Sequence, residues 1–381
     1  MTFRAIMPHT LKAVFRFFKY PEERKRLFRE IPIKKNQNKK IKSISADSKK
    51  LIVFFVPAAD RHTGLESISG GVISLVSLCE ETKKLSAVHH AETLMCVYPR
   101  GFLFGKHQNF PNNTDLFRFE QLPARFSGVN HLILHIPELL APYFKGLLLK
   151  DELKWIRQIA HVHINVVNAN IMLMPVPSKI NELEEIAHEV TITAAHAKYC
   201  TQYHRNFYGK PLHKFSAWIS PEQYTFVPFE EKENCIVVSP DFNTYRDEVL
   251  QKLRQIEGLK IVVLENLSYL EFKQVIAKAK WALTFGEGLD GYILEPVFSG
   301  AFGIAVFNED FFTDDFKTLE GIYASYDHLC RSIVADIKRK DNPIDFKIAQ
   351  KYQFELCAKY YNYSQYRENI KKFYLQEYTF K

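Results

Sequence analysis

Four short apolar segments at even intervals constrain the fold of the second half of this chain. They span residues 235–239, 260–264, 281–285 and 303–307, each beginning 21 to 25 residues after the previous one. The intervals carry helix signals, because TYRD at 244–247 and SYLE at 268–271 both match the capping-box pattern that begins a helix. Repeated strand–helix units of this length predict βαβ crossovers and therefore a parallel sheet.

The first half repeats this alternation with less regular spacing. Apolar runs of strand length occur at 51–56, 93–98, 131–136, 163–167 and 190–195, with an apolar helical pattern at 72–85. A length of 381 residues suits two domains better than one core. We therefore predict an α/β protein with one Rossmann-like domain at 51–215 and a second at 216–345.

The loop after the run 281–285 carries the most informative chemistry. Its sequence, GEGLDGYILEPVFSG, places Glu287 in the turn and Glu295 in the first turns of a helix. A helix N-terminus after a strand attracts phosphate through its free N–H groups and its dipole. One carboxylate can bond sugar hydroxyls and the other a ribose diol, so the pair suits a nucleotide-sugar. The alternative is two solvated glutamates near a helix end.

The same residues resemble the Glu-x7-Glu motif of GT-B glycosyltransferases, a group with many retaining enzymes that build bacterial surface polysaccharides. Both glutamates and Gly300 keep the spacing of that family, but the second loop glycine is Gly291, one place late, because Asp290 intrudes. The resemblance covers 235–307 well and the first half by architecture. It implies the GT-B fold: two Rossmann-like domains face each other across a cleft, and helices at 346–381 cross back onto the first. The domain at 51–215 would bind the acceptor and the domain at 216–345 the nucleotide-sugar.

The resemblance also assigns roles to individual residues. It implies that Glu287 contacts the donor sugar as a catalytic residue of a glycosyltransferase. The other donor-binding residues that the resemblance implies are Glu265, Ser268, Gly288, Gly291 and Glu295. The pair Gly70 and Gly71 resembles the glycine loop of the family's first domain, although a plain tight turn explains it equally well.

The leaving diphosphate needs a positive partner, and the chain contains no DxD sequence to indicate a divalent cation. Arg246 follows the run 235–239, at the strand end where ligands bind in open α/β sheets. Lys252 and Lys273 are weaker candidates, and a surface arginine is the alternative for Arg246. We therefore expect no metal and no cofactor, with the nucleotide-sugar as a substrate.

Two histidines at strand ends are candidates for the first-domain side of the cleft. His135 lies near the end of one apolar run and His196 follows another. A histidine there can contact a sugar hydroxyl or act as a catalytic base, although a structural hydrogen bond is the commoner role. Asn168 and Asn170 can bind sugar hydroxyls or simply form a turn.

Positive charge is concentrated at the N-terminus. Residues 1–50 hold 15 Lys and Arg against 4 Asp and Glu, a net charge of +11, and the remainder carries −3. Residues 10–20 alternate apolar and basic side chains at helical spacing, which predicts a short interfacial helix; packing on the first domain is the alternative. The acidic body argues against a nucleic-acid partner. We therefore expect a basic arm at 1–50 that binds the inner face of a membrane.

Cysteine usage and the absence of targeting signals bear on location. The six cysteines are scattered without a CxxC pair, and the sequence has neither a signal-peptide pattern nor an apolar run of spanning length. The pair His161 and His163 lacks further ligands at metal-binding spacing. These features predict a cytoplasmic protein, peripheral to the inner face of the cell membrane.

Taken together, the sequence favours a glycosyltransferase that moves a sugar from a nucleotide-sugar to a glycan or a lipid-linked glycan. Capsule or lipopolysaccharide assembly is the expected process, with retention of anomeric configuration implied by the resemblance. A GT-B-like nucleotide-sugar epimerase is an alternative, and it would need acid and base carboxylates on the first-domain side of the cleft. A non-enzymatic adaptor that binds the membrane through its basic arm is another.

Overall fold

The computed structural model describes residues 21–57, 66, 69–98, 100, 103–216 and 218–381. The strands, numbered along the chain, are β1 Lys50–Pro57, β2 Glu92–Tyr98, β3 Leu116–Phe117, β4 His131–Pro137, β5 His161–Asn168, β6 Glu189–Ala194, β7 Leu212–Lys214, β8 Glu233–Val238, β9 Lys260–Val263, β10 Ala279–Leu283, β11 Phe302–Val306 and β12 Ile322–Tyr323. They form two sheets, ordered β3-β2-β1-β4-β5-β6-β7 and β12-β11-β10-β8-β9, and all pairings within the sheets are parallel.

The prediction of an α/β protein is confirmed. All nine strands expected from apolar runs are present, with ends shifted by at most two residues. The runs are apolar throughout because helices cover both faces of each sheet, so residues 51–56 are buried along their whole length. The strands that the sequence analysis missed, β3, β7 and β12, are two or three residues long and carry too little periodicity to be recognised.

Helices fill the intervals between strands. The α-helices are α1 Pro21–Ser43, α2 Gly70–Lys84, α3 Ser86–His89, α4 Leu122–Arg125, α5 Phe144–Leu147, α6 Lys150–Gln158, α7 Pro177–Asn181, α8 Gln202–Tyr208, α9 Arg246–Leu253, α10 Tyr269–Lys278, α11 Gly291–Phe298, α12 Tyr326–Lys340, α13 Pro343–Tyr360 and α14 Tyr363–Tyr374. The capping box at 268–271 is confirmed, because Ser268 Oγ accepts from Glu271 N at 3.3 Å and Glu271 Oε2 accepts from Ser268 N at 2.8 Å. The prediction of a capping box at 244–247 is wrong, because α9 has no side-chain cap there. Asn243 Oδ1 instead accepts from Tyr245 N at 2.9 Å, just before α9.

Helix α1 corrects the prediction of a separate basic arm at 1–50. Ile41 is buried, and Gln37 donates its side-chain amide to the main-chain oxygens of Phe104 at 3.1 Å and Leu116 at 2.8 Å. Arg125 donates to the main-chain oxygen of Ile44 at 3.0 Å. These contacts make the second half of α1 part of the first domain. The interfacial helix expected at 10–20 lies outside the described residues.

The C-terminal helices divide between the two domains, which corrects the expectation that all of 346–381 packs on the first. In α13, Gln353 exchanges two hydrogen bonds of 2.7 Å with the main chain of Gly303, so this helix belongs to the second domain. Helix α14 crosses back, and Tyr374 shares a 3.0 Å hydrogen bond with Thr82 of α2. Within the described ranges, no helix is long and apolar enough to cross a bilayer.

Helix α14 packs against a layer of buried first-domain histidines. The histidines that contact it are His89, His135, His163 and His213. The His163 ring stacks on Phe373 at 5.5 Å between centroids, and His135 Nε2 shares a 3.0 Å hydrogen bond with the Tyr374 hydroxyl. Burial lowers the pKa of all four, that of His163 to about 3. The helix is therefore docked on neutral imidazoles.

Acid should weaken this docking. Because burial lowers the folded-state pKa of His163, its contribution to stability is complete above the unfolded pKa near 6.5 and is lost as the pH falls toward 3. We predict that His163→Gln reduces the slope of the unfolding free energy between pH 6 and pH 4 by about 1 kcal/mol per pH unit. Urea unfolding followed by circular dichroism measures it.

His328→Gln is the matched control for this measurement, because His328 is exposed on α12 and makes its ring contact with Tyr323 far from α14. It should keep the wild-type slope. An unchanged slope in His163→Gln would mean that this histidine is not a source of the acid sensitivity.

Candidate functional site

The loop between β10 and α11 lies at the carboxyl edge of the second sheet. Its first residues are fixed by side-chain to main-chain bonds: Ser239 Oγ accepts from Phe285 N at 2.9 Å, and Thr284 Oγ1 accepts from Gly286 N at 3.1 Å. The Thr284 hydroxyl also donates to Asp290 Oδ2 at 3.0 Å, which closes the loop on itself. Glu287 is therefore held by a fixed turn.

Two glycines of this loop lie where an added side chain would meet a neighbouring group. Gly288 has φ +93°, and a Cβ there would lie 2.4 Å from the Phe312 ring. At Gly291 a Cβ would lie 2.9 Å from Glu295 Oε1, so the glycine lets this carboxylate approach the start of α11. Both glycines of the predicted donor site thus shape the loop; their contact with a donor stays a prediction.

Asp290 changes what the start of α11 can do. Its side chain caps the helix, with Oδ1 accepting from Tyr292 N at 2.8 Å. One N–H group at this N-terminus is therefore already satisfied by the protein's own carboxylate, and binding of a phosphate there stays a prediction. Burial, and secondarily Asp241, raise the pKa of Asp290 to about 6, while the hydrogen bond from Thr284 opposes that rise.

Glu287 lies in the contact between the two domains. Its Oε1 accepts a hydrogen bond from the side-chain amide of Asn170, which follows β5 of the first domain. Burial, followed by the neighbouring charges of Asp290, Asp241 and Glu138, raises the pKa of Glu287 to about 7. At neutral pH this carboxyl group can therefore both accept and donate hydrogen bonds.

Asn170 and Glu138 form the first-domain side of this contact. The amide orientation of Asn170 is set because its Oδ1 accepts from Met172 N at 2.9 Å, which leaves the NH₂ group to face Glu287. Glu138, 4% exposed, accepts from Asn170 N at 3.0 Å, and burial raises its pKa to about 7. The sequence analysis missed Glu138, although an acidic residue directly after a strand is a signal for the carboxyl edge of a sheet.

Glu295 lies deeper, under aromatic side chains. It is 5% exposed and Oε2 accepts from the Tyr269 hydroxyl at 3.1 Å, which in turn lies 3.3 Å from the Tyr224 hydroxyl. The Lys273 ammonium lies over both tyrosine rings, 4.6 Å from the centroid of Tyr224 and 5.0 Å from that of Tyr269. Burial raises the pKa of Glu295 to about 7, against the effect of the two tyrosines and Lys273. A cation, two hydroxyls and a carboxyl group are thus gathered in one wall of the site.

Arg246 has a structural task in the same region. It begins α9, its Nη1 donates to the main-chain oxygens of Ser239 and Asp241, and the guanidinium carbon lies 5.4 Å from the centre of the Phe285 ring. These contacts join the end of β8 to the Glu287 loop. Contact of Arg246 with a diphosphate stays a prediction.

Other predicted donor-binding residues are further from this centre. Glu265 is exposed beyond β9, and the Ser268 hydroxyl is used to cap α10. Lys252 pairs with Glu248 at 3.7 Å and lies close to Cys330 of α12, on the side of α9 that packs away from the Glu287 loop. The structure does not bring Lys252 together with Glu287.

The catalytic role expected of His135 is corrected by its position. The residue is 0% exposed, stacked on Phe54 at 4.3 Å, and its ring nitrogens bond Tyr374 and Asn165 at 3.0 Å each. Its side chain points from β4 toward α14, so it lies in the core and away from the cleft. The strand period places alternate residues on opposite faces, and His135 falls on the face against which α14 packs.

His196 lies between the domains but is engaged by the protein. Its ring contacts Phe311 at 5.6 Å between centroids, and Nδ1 lies 3.4 Å from the Tyr361 hydroxyl. Burial, and then the charge of Lys214, lower its pKa to about 4, so the ring is neutral at pH 7. A catalytic role for His196 stays a prediction.

Gly70 and Gly71 occupy the first turn of α2, where Ser69 Oγ caps the helix by accepting from Val72 N at 3.3 Å. Both glycines are exposed, and a Cβ on Gly70 would meet nothing within 4 Å. The main chain is accessible there, as a ligand-binding glycine loop requires. Among the residues that the structure describes, no group of His, Cys, Asp and Glu could hold a metal ion.

Comparison with solved structures identifies the fold. Sucrose-phosphate synthase from Thermosynechococcus elongatus matches with a TM-score of 0.58 at 11% identity, over 86% of this chain and 99% of that one. An α-glucosyltransferase in complex with UDP-glucose and DNA containing an abasic site matches with a TM-score of 0.54 at 10% identity, over 85% and 99%. Anabaena HepE in complex with UDP and glucose matches with 0.50 at 8% identity, over 86% and 100%.

A scan against family models gives no match, and neither does a comparison with curated protein sequences. The chain therefore has the GT-B fold that the sequence predicted, with glycosyltransferases among the solved structures that share it. At these identities the likeness extends to the fold and no further.

The electrostatics of the Glu287 loop give a direct test. Asp290→Asn keeps a side-chain oxygen that can accept from Tyr292 N. It removes the neighbouring negative charge that has the largest effect on the pKa of Glu287. We predict that the pKa of Glu287 falls in this variant toward its ordinary value, because one of the groups that disfavour its charged form is gone. A carboxyl-detected NMR titration measures it.

Asp310→Asn is the control, since Asp310 is exposed and is not among the groups that shift Glu287. It should leave the titration unchanged. A Glu287 pKa that stays near 7 in Asp290→Asn would show that the charge of Asp290 is not one of its causes.

Proposed function

We propose that this protein is a glycosyltransferase that transfers a sugar from a nucleotide-sugar to a growing bacterial surface glycan, with retention and without a metal ion. The observation that carries the proposal is the hydrogen bond between Asn170 and Glu287. It places a loop glutamate of the second domain against the edge of the first, where a donor sugar and an acceptor would meet.

The two glutamates bind different parts of the donor. Glu287 contacts the sugar hydroxyls, because its Oε1 is already aligned by Asn170 and hydroxyls can both donate to and accept from a half-protonated carboxyl group. Glu295 contacts the ribose diol from the wall that contains Tyr269 and Lys273. Because the donor is held at both ends, its anomeric carbon is presented to the acceptor hydroxyl in a fixed orientation.

Burial of the carboxyl groups also bears on the leaving diphosphate. A cluster of fully ionised carboxylates would repel it, but Glu287, Asp290 and Glu295 all have a raised pKa and are partly protonated at neutral pH. Lys273 and Arg246 then supply positive charge from the second domain without a divalent cation.

The proposed acceptor is a glycan or lipid-linked glycan of capsule or lipopolysaccharide, reached from the cytoplasmic face of the inner membrane. The N-terminal charge supports this setting, because residues 1–20 carry four basic side chains and no acidic one ahead of α1. The basic segment is proposed to bind the anionic lipid surface, while the second half of α1 belongs to the fold.

One observation favours a second candidate, a nucleotide-sugar epimerase. Glu138 supplies a buried first-domain carboxyl group opposite Glu287, which that chemistry needs. The two are distinguished in deuterium oxide: an epimerase that abstracts a carbon-bound proton incorporates deuterium into the donor sugar, whereas a transferase releases nucleoside diphosphate only as an acceptor is used.

The division of roles predicts different defects in two variants. Glu295→Gln should weaken nucleotide-sugar binding by roughly tenfold, the loss of one good hydrogen-bonding partner. Glu287→Gln should mainly lower the turnover number, because its contact is with the reacting sugar. Calorimetry with UDP-, GDP-, dTDP- and CMP-sugars measures binding, and release of nucleoside diphosphate measures turnover.

Glu309→Gln is a suitable control, because Glu309 is exposed and lies outside the glutamate loop. It should match the wild type in both assays. Full activity in both test variants would end the proposal, and loss of wild-type activity in a chelator would end its metal-independent form.

Membrane binding is tested without deleting folded residues. We predict that changing Arg4, Lys12, Arg16 and Lys19 to Gln weakens binding to vesicles containing phosphatidylserine by roughly 1 kcal/mol per charge. Binding by the wild type should also fall steeply with salt. A variant with four exposed lysines of the second domain changed to Gln should bind as the wild type does, and equal loss in both variants would contradict a specific N-terminal anchor.

A further inference from the structure

Lys232 lies between the C-terminal ends of α10 and α11. Its ammonium group donates to the main-chain oxygen of Ala277, in the last turn of α10, at 2.9 Å, and to that of Ser299, which follows α11, at 3.0 Å. The last carbonyl groups of a helix have no donor within the helix, and a lysine can satisfy them. One side chain therefore bonds the ends of both helices.

Gly300, the last residue of the segment GEGLDGYILEPVFSG, closes the chain around this lysine. Its φ is +89°, and a Cβ there would lie 2.4 Å from the main-chain oxygen of Val227 and 3.3 Å from Lys232 Cε. Val227 N also donates to the main-chain oxygen of Ser299 at 3.1 Å. The segments on both sides of the lysine thus hold its side chain in one place.

The two helices that Lys232 joins carry the residues proposed to bind the nucleotide end of the donor. Tyr269 and Lys273 lie on α10, and Glu295 lies on α11. These three residues are called the donor wall below. The Tyr269 hydroxyl donates to Glu295 Oε2 at 3.1 Å, so the wall exists only where the two helices keep this separation.

The bonds of Lys232 lie at a distance from the donor wall, on the same helices. At 1.5 Å per residue, Ala277 is about 12 Å along α10 from Tyr269, and Ser299 is about 6 Å along the chain of α11 from Glu295. The helices are thus joined at one point by the wall itself and at a second point by the lysine. A shift at the second point therefore moves one side of the wall relative to the other.

Burial of this ammonium group is costly in itself. Lys232 is 7% exposed, and no carboxylate among the residues that the structure describes pairs with it, so burial lowers its pKa to about 7. An apolar side chain of the same length would fill the place without that cost. The neutral amine still has two N–H groups to donate, so both bonds can persist when the proton is lost. The position is therefore suited to a donor that reaches two carbonyl oxygens.

We propose that Lys232 is a positioning residue for the nucleotide-sugar: it sets the separation of α10 and α11, and thereby the place of Tyr269 and Lys273 relative to Glu295. It acts through the two helices and not by contact with the donor. The inference rests on the proposed function, because it takes the donor wall as the place where the nucleotide end binds.

The test compares the full chain with two variants. Lys232→Met removes the hydrogen-bond donor and keeps most of the length of the side chain, and Lys232→Arg keeps donors for both oxygens. Circular dichroism establishes that each variant is folded, and Lys232→Gln takes the place of Lys232→Met if that variant is not. Calorimetry with UDP-glucose, GDP-mannose, dTDP-glucose and CMP-N-acetylneuraminic acid identifies the nucleotide-sugar that the wild type binds, and release of nucleoside diphosphate gives kcat and KM.

Lys232→Met should weaken binding of that nucleotide-sugar at least fivefold and raise its KM by a similar factor. Its kcat should change less than twofold, because the donor wall contacts the nucleotide end and not the reacting sugar. Lys232→Arg should bind more tightly than Lys232→Met. A carboxyl-detected NMR titration gives a readout that needs no donor: the pKa of Glu295 should rise further in Lys232→Met, since the hydrogen bond from Tyr269 that opposes the rise is weakened.

Lys340→Met is the matched control, because Lys340 is 3% exposed, ends α12 and pairs with Glu320. It should bind the nucleotide-sugar as the wild type does. Wild-type binding in Lys232→Met would overturn the proposal, and so would an equal loss in Lys340→Met, which would show a general effect of removing a buried lysine. If the wild type binds none of the four compounds, the proposed function fails, whereas an unchanged titration of Glu295 in Lys232→Met would show that Lys232 does not position the two helices.

Discussion

The docking of α14 onto the first sheet is the constraint on which the candidate site depends. Helix α13 is bonded to the second sheet through Gln353. Helix α14 follows after a connection of two residues and is bonded to the first sheet through Tyr374 and the buried His135. With so short a connection between them, the two helices hold the carboxyl edges of both sheets at one separation. The contact between Asn170 and Glu287 exists because of that separation.

The carboxyl groups at this edge are held at an energetic cost that a ligand can reduce. Burial is the first cause of the raised pKa of Glu138, Glu287 and Glu295, so desolvation outweighs the hydrogen bonds that each receives from the protein. A polyhydroxy ligand brings further hydrogen-bond donors to such groups without adding negative charge. Perturbed carboxyl groups gathered at one edge of a fold are a recognised mark of a functional site.

The sequence specified the strands and the glutamate loop but not the contacts between distant segments. Apolar runs revealed nine strands because burial on both faces leaves a continuous local signal. His135 looked like a cleft residue because its strand position was visible, whereas its covering helix comes from 239 residues further along the chain. The same limit hid the bond from Asn170 to Glu287, 117 residues apart. Asp290 was recognised as a departure, yet its use as the cap of α11 required the turn geometry.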